Sequence, residues 1–554
     1  MSGFLPLNRD EASRRGWNEL DIVLVTGDAY VDHPAFGAAV IGRVLERNGY
    51  RVGIIAMPEW RNPESIRAFG RPRLFFGVTS GNVDSMLARY TAFKKVRNDD
   101  PYAPGGVGGS KPERALIVYC NLIRAGYKDI PIVLGGIEAS MRRMAHYDFF
   151  GGTLRRTILE DARADILAYG MAEAAVVEIA DRLASGQGLD GIPGTVVMTR
   201  QAPAGALMLP AQEDVIASSA AFLEFSRLSY QSQDRVMAQP CGKRFLVQYP
   251  PPETNALKLE ETYTLPYSYA PHPMYTLPIP AYEMIKDSIT AHRGCVSGCS
   301  FCSVALHQGR RIVARKPDDI LAEIGHRAGF SRGVFSLTDI GGPSANMYGY
   351  ECRNRWHCPR ESCTFPQLCP NLVIKTRPWI DLLDQAAQLK GVKRVTIGSG
   401  VRYDLIMRDS DSRAVVQALC ERHVSGQLKI APEHTVPEVL AAMRKTPAAS
   451  LEEFVDLFRT TARRSAGRVY LLPYLMSCHP GCTMAHMQSM RREVMRVFGF
   501  IPQQVQAFIP LPMTLSSVIY ATGIDPLTTE RIAVERDPRK RRRQHEVFFS
   551  DRRS

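Results

Sequence analysis

No apolar run in this 554-residue chain approaches the roughly 20 residues that a membrane-spanning helix needs; the runs at 115–120 and 132–134 are far shorter. The first 15 residues carry no apolar stretch behind basic residues, so no secretory signal is read there. There is no repeat of solenoid period and no long low-complexity tract, which sets aside repeat and fibrous architectures. Without an export signal, the 12 cysteines are not expected to form disulfides, because a reducing compartment leaves thiols free for metals or catalysis. These absences together predict a cytoplasmic protein with no membrane partner.

What is present is an ordinary globular composition, 45% hydrophobic and 23% charged, long enough for about three or four domains. The formal charge is +13. Part of it sits at 536–553, around Arg539-Lys540-Arg541-Arg542-Arg543. Such a run attracts phosphates, and a nucleic-acid-binding module built on it is one functional alternative. The plainer reading is a solvated, mobile basic tail over 521–554.

Short apolar runs at 21–25, 52–56, 74–78, 132–134 and 165–169 alternate with segments of helical spacing, such as 36–48 closed by Gly49. Continuous apolar strands between helices predict a parallel sheet covered on both faces, a doubly wound α/β domain over 1–200. Its strand ends carry Gly27-Asp28, Thr79-Ser80-Gly81, Gly135-Gly136 and Gly170. Ligands bind at such ends, although tight turns need glycine in any case. Residues 89–111 read as an inserted loop. Over 201–284, Pro250-Pro251-Pro252 and the proline- and tyrosine-rich stretch 266–282 exclude a regular central strand or helix. A linker or wrapping arm is predicted, with short helices around 217–230. Strand–helix alternation resumes over 285–520, with strands expected at 288–290, 333–338, 392–397, 427–430, 468–472 and 505–509. This predicts a partial (β/α)6 barrel of TIM type, its active site on the loops after the strands.

Seven cysteines form two groups. Cys295, Cys299 and Cys302 are spaced C-x3-C-x2-C directly after a predicted strand. Three thiolates can hold three irons of a four-iron cluster and leave the fourth iron open, and an open position lets a metal site act on a bound molecule. Zinc favours paired C-x2-C elements and fits this spacing less well. Gly294 and Gly298 allow the loop to wrap closely. The second group, Cys352, Cys358, Cys363 and Cys369 with His357 among them, matches no standard zinc or ferredoxin spacing. An auxiliary cluster, a zinc site and free thiols all stay open for it. Cys478 and Cys482 lie in a loop after a strand, a place that permits a catalytic role.

The triad with Phe301 before its third cysteine resembles the radical S-adenosylmethionine superfamily. The surrounding strings narrow the likeness: His292-Arg293-Gly294-Cys295, His307-Gln308-Gly309-Arg310, Thr26-Gly27-Asp28-Ala29-Tyr30-Val31-Asp32-His33-Pro34, Gly135-Gly136-Ile137-Glu138-Ala139-Ser140 and Asp339-Ile340-Gly341-Gly342-Pro343. Over nearly the whole chain, it resembles the YgiQ family of radical S-adenosylmethionine proteins. That resemblance implies a 4Fe–4S cluster on Cys295, Cys299 and Cys302, with S-adenosylmethionine on the open iron. It implies a 5′-deoxyadenosyl radical acting on an unknown substrate, and a reductant partner such as flavodoxin or ferredoxin. A non-catalytic 4Fe–4S protein is the alternative.

By the same resemblance, Gly341 and Gly342 would meet the cofactor's amino group, with Pro343 where relatives place an acid. Ser399 and Arg402 would face ribose and carboxylate, and Phe301 the adenine. The stretch 429–434 resembles the fifth-strand loop of methylthiotransferase-like members, which suggests RNA or protein as substrate. Relatives commonly continue past this point, so a truncated or divergent C-terminus is expected. The first domain is cobalamin-binding-like, but Asp32 and His33 are adjacent where the usual D-x-H-x-x-G motif has a spacer.

Overall fold

The computed structural model describes residues 3–330, 335–353, 358, 360–446, 449–465 and 469–549. The expected strand residues Gly333, Val334 and Arg468, and His357, lie outside them. The chain divides into two compact units, residues 1–254 with 261–286, and residues 255–260 with 287–554.

The first unit is built on a mixed nine-stranded sheet. Its parallel part comprises β1 (Ile22–Thr26), β2 (Val52–Ala56), β3 (Phe75–Thr79), β4 (Ile132–Leu134) and β5 (Ile166–Ala168). These lie in the spatial order 2-1-3-4-5, one of the two common orders of doubly wound sheets. All five residues of β1 are buried, as expected of a parallel strand covered on both faces. Helix α1 (Gly37–Arg47) buries Ala39, Val40, Val44 and Leu45 along one stripe. Arg43 lies in that stripe too, and its Nε donates to Asp32 Oδ1 at 3.0 Å. An arginine is tolerated there because its charge is matched in place.

The sheet does not end at β5. It continues through β6 (Thr195–Thr199), β7 (Leu207–Met208), β8 (Met237–Cys241) and β9 (Arg244–Gln248) in the order β5-β6-β9-β8-β7. The β5–β6, β6–β9 and β8–β9 pairings are antiparallel. The sheet is therefore mixed rather than parallel throughout, and three of its strands come from the stretch expected to be a linker or arm. Pro240 lies inside β8. It is accommodated because β7 pairs only with Met237 and Ala238, so that side of β8 is an edge at Pro240. The expected short helix is present as Ser219–Gln231. The proline- and tyrosine-rich stretch packs on its own unit: Ala270–Pro271 pairs with Val31–Asp32, and the Tyr30 N–H donates to Tyr275 Oη at 2.9 Å.

The second unit carries short parallel strand pairs. β10 (Ser288–Thr290) pairs with β14 (Asp339–Gly341), and β13 (Phe335–Leu337) with β17 (Val392–Val395). β18 (Gln427–Glu433), β19 (Tyr470–Ser477) and β20 (Val505–Ala507) form a parallel set, with a further parallel bridge between Val401 and Ile430. Between these lie the short ribbons β11 (His292–Arg293) with β12 (Val313–Ala314), and β15 (Glu351–Cys352) with β16 (Leu372–Val373). Alternate residues of β18 and β19 are fully buried and most of those between only half-buried. One face of these strands thus meets the core and the other a partly open space. The core is anchored by Trp379, whose indole N–H donates to Ile340 O at 2.9 Å.

The basic run near the C-terminus is helix α2 (Pro538–Glu546), capped by Asp537, with Arg539, Lys540, Arg542 and Arg543 exposed and Arg541 turned inward. Arg541 is buried and donates to Tyr520 Oη at 3.2 Å and Phe508 O at 2.5 Å, and Gln544 Nε2 donates to Cys482 O at 3.1 Å.

Candidate metal centre

Residues 294–303 form a loop between β11 and the short helix Val304–Gln308. Two of its residues have to be glycine. Gly294 has φ 89°, and a Cβ there would lie 1.9 Å from Arg311 O. Gly298 has φ 62°, and a Cβ would lie 2.4 Å from Glu361 O. The loop is therefore wrapped against its neighbours at both points, and no larger residue fits without moving backbone. The Cys295 N–H donates to Gly309 O and the Cys302 N–H to Cys299 O, both at 3.1 Å. The Val304 N–H donates to Cys302 Sγ at 3.4 Å, a bond that favours a thiolate.

The three thiols interact electrostatically with one another. Burial pushes the Cys302 thiol up to about 12. It raises Cys299 too, against the opposing pull of Lys445 and Arg402. Thiols of this kind bind metal with release of their protons. Soft sulfur donors on a tight loop, with two buried cations nearby, suit an iron–sulfur cluster. Among the described residues, no three His, Cys, Asp or Glu side chains are gathered closely enough to hold a single metal ion. A cluster makes a different demand, because its thiolates sit on separate irons.

Arg402 is brought to this loop but is already engaged. Its Nε and Nη2 donate to Asp404 at 2.7 and 2.5 Å, and its Nη1 donates to Ser297 Oγ. Burial would raise the Asp404 carboxyl, but the Arg402 guanidinium outweighs it and holds Asp404 at about 2. Arg402 therefore braces the cysteine loop through Ser297. The second cation, Lys445, was not picked out from the sequence, because Arg444-Lys445 belongs to no motif. Its Nζ donates to Ala431 O and lies 3.8 Å from Glu433. Glu433 sits at φ 65°, and burial raises its carboxyl despite Lys445 and Arg402.

The remaining expected contacts fall as follows. A Cβ on Gly342 would lie 2.5 Å from His292 O, so this glycine lets the strand end pack against β11, just before the cysteine loop. A Cβ on Gly341 would lie 3.0 Å from the Ala345 Cα. Ser399 Oγ donates to Asp339 Oδ1 at 3.0 Å, which ties two strand ends together. Phe301 meets His479 edge-on at 6.0 Å, and His479 Nε2 pairs with Ser516 Oγ at 2.7 Å. Ser516 Oγ in turn donates to Ser300 Oγ at 2.7 Å.

Cys478 and Cys482 are buried. Cys478 donates to Arg541 O at 3.1 Å. Cys482 lies 3.6 Å from His434 Nε2, but His434 Nδ1 accepts the Val436 N–H at 3.0 Å. That assigns the ring proton to Nε2, so the imidazole faces the thiol as a donor and does not activate it as a base.

In the first unit, the strand ends are filled by the chain's own side chains. Lys111 Nζ bonds Asp28 Oδ1 at 2.7 Å and lies 3.9 Å from Asp100. A Cβ on Gly27 would lie 2.4 Å from Ser80 O, and one on Gly81 2.1 Å from the Asp28 carboxylate. Lys111, Asp28, Asp100 and Glu138 are all at most 4% exposed. His33 is 2% exposed, its Nδ1 accepts the Ala35 N–H at 3.1 Å, and its ring stands edge-on to Tyr269 at 5.4 Å. Its neighbour Asp32 is held by Arg43. With the His33 ring buried and the strand ends filled by the chain's own ion pairs, the residues as placed here do not fit a corrin.

Among the described residues, no helix is long and apolar enough to cross a membrane. The Radical SAM N-terminal family matches residues 4–288, and a Domain of unknown function (DUF3362) matches residues 503–551. By structure, the chain resembles the radical S-adenosylmethionine methyltransferase TsrM from Kitasatospora setae, with TM-score 0.52, 14% identity, and coverage of 89% of this chain and 75% of that one. A likeness at this identity concerns the fold. A UPF0313 protein of Methanosarcina acetivorans is 42% identical over 99% of this chain and 78% of its own length. A UPF0313 protein of Geobacter sulfurreducens is 45% identical over 99% of this chain and 92% of its own length, and the chain belongs to the UPF0313 family.

Proposed function

We propose that this chain is a radical S-adenosylmethionine enzyme, as its resemblance to the YgiQ family implies, with Cys295, Cys299 and Cys302 holding a [4Fe–4S] cluster. The observation that carries the reading is the loop itself, three thiols wrapped by two glycines that no other residue can replace, with Arg402 and Lys445 beside them. The TsrM relative has been solved with a [4Fe–4S] cluster bound, which supports the same use of a similar fold. When bound, such a cluster supplies the electron that cleaves S-adenosylmethionine to a 5′-deoxyadenosyl radical.

The chain's own residues do the rest. Arg402 holds Ser297, and through it the peptide between the first two cysteines. The Val304 N–H on Cys302 and the two cations lower the cost of negative charge on the thiolates. Lys445 uses one of its three donors on Ala431 and is the cation we assign to the cofactor's carboxylate, since Arg402 is committed to Asp404 and Ser297. Phe301, propped by His479, is the apolar wall for the adenine. Gly341, Gly342 and Ser399 shape the strand ends around it. The cobalamin present in a TsrM structure has no counterpart in this reading, because the first unit's crevice is full. A flavodoxin- or ferredoxin-type partner supplies the electron.

The test is anaerobic reconstitution, reduction, and measurement of 5′-deoxyadenosine formed from S-adenosylmethionine. The expected result is product from the native chain and none from Cys299→Ala. A fully loaded native chain that yields no product would overturn the enzyme reading in favour of a non-catalytic cluster protein.

A further inference from the structure

The second cysteine group is gathered against the first. Cys352 lies in β15, in register with Leu372 of β16. The Leu372 N–H donates to Cys369 O at 3.0 Å, and the Cys369 N–H donates to Cys363 O at 2.8 Å. The chain thus folds back so that Cys352, Cys363 and Cys369 share one end of the β15–β16 ribbon. The Cys363 thiol interacts electrostatically with Cys369, Cys352 and Cys358 alike.

This segment is also bonded to the cluster loop. The Cys363 N–H donates to Val296 O at 2.9 Å, and Ser362 Oγ and Thr364 Oγ1 both donate to Ser297 O. Cys363 and Cys369 pack in one apolar patch with Cys295 and Val296.

Packing does not account for four cysteines here. Cys352 and Cys358 are exposed, whereas unligated structural cysteines are among the most buried residues. Among the described residues of this segment, the regular structure is a ribbon two residues long on each side. Four thiols on such a segment call for a soft metal to fix it. The donor set is four cysteines, the set that four-iron clusters take, on a segment bonded to the Cys295–Cys302 loop.

We propose that Cys352, Cys358, Cys363 and Cys369 hold a second iron–sulfur cluster, docked on the loop of the first. Four thiolates satisfy all of its irons, so it passes electrons or holds the loop in place and does not bind substrate. This adds to the radical-enzyme reading without resting on it.

The full-length chain is reconstituted anaerobically with ferrous iron and sulfide, and iron, sulfide and zinc are counted alongside electron paramagnetic resonance of the reduced protein. Three forms are compared: the native chain, Cys295→Ala with Cys299→Ala and Cys302→Ala, and Cys352→Ser with Cys358→Ser. The native chain is expected to hold about eight irons, four per cluster, and each variant about half. The two reduced variants should give different signals. Cys352 and Cys358 are exposed, so their replacement leaves the far-ultraviolet circular dichroism unchanged and isolates ligation from folding. A triple-alanine variant with no iron, or with one zinc in place of iron, would overturn the second cluster. A native chain and a triple-alanine variant that both hold about four irons would instead remove the first site and leave the second standing.

Discussion

At the scale of single residues, the candidate centre depends on positions where a side chain is impossible. Gly294 combines a left-handed φ of 89° with a neighbouring carbonyl 1.9 Å from any Cβ, so alanine there must displace backbone. Gly294→Ala is expected to lower reconstituted iron by about half, the share of one cluster, while leaving circular dichroism unchanged. Gly325 is the control: it lies within helix Pro317–Phe330, and nothing is within 4 Å of a Cβ built on it. Gly325→Ala should keep full iron and raise stability by roughly 0.5–1 kcal/mol. Equal iron loss in both variants would mean that the glycine at 294 has no special part. The glycines and the cysteine spacing were legible in the sequence, because ligand type and backbone freedom are properties of the residues themselves. Lys445 was not, because nothing local marks a lysine 143 residues after Cys302 as its neighbour.

At the scale of elements, the ends of β18 and β19 carry two buried imidazoles, His434 and His479. Burial lowers both to about 3; nearby His486 adds to the effect on His434, and the Pro480 carbonyl opposes it on His479. An imidazole whose folded value lies below its unfolded value of about 6.5 contributes stability that is fully present above pH 6.5 and is lost as pH falls toward 3. Both groups therefore predict falling stability on acidification, by about 2 kcal/mol each at pH 5. Urea midpoints at pH 7 and pH 5 test this. His479→Gln should flatten the difference, and an unchanged pH dependence would show that the ring is already solvated. The sequence indicated strands at these places because their apolar runs are local. It set the ends of both strands short of Glu433 and Ser477, since Pro432 and Pro473 interrupt the pattern, and only pairing with neighbours carries each strand past its proline.

At the scale of the whole molecule, the chain combines a UPF0313 sequence with a fold like that of a protein solved with cobalamin bound, while its own strand ends are filled by ion-paired side chains. Aquocobalamin added to the chain is expected to show no change in its visible spectrum and no retention on gel filtration. His33→Ala should alter neither. A stoichiometric spectral shift abolished by His33→Ala would show that the Lys111–Asp28 plug opens. The sequence alone determined the five parallel strands and the spacing of the thiol triad, because each rests on the residue types and spacing within a short window. Only the tertiary structure decided that the sheet continues through the hairpin of β8 and β9, that the basic run is a helix holding a buried Arg541, and that Cys363 meets Val296. Each of these depends on contacts between residues far apart in the chain, where pairing, charge burial and space-filling are settled by what the fold brings together.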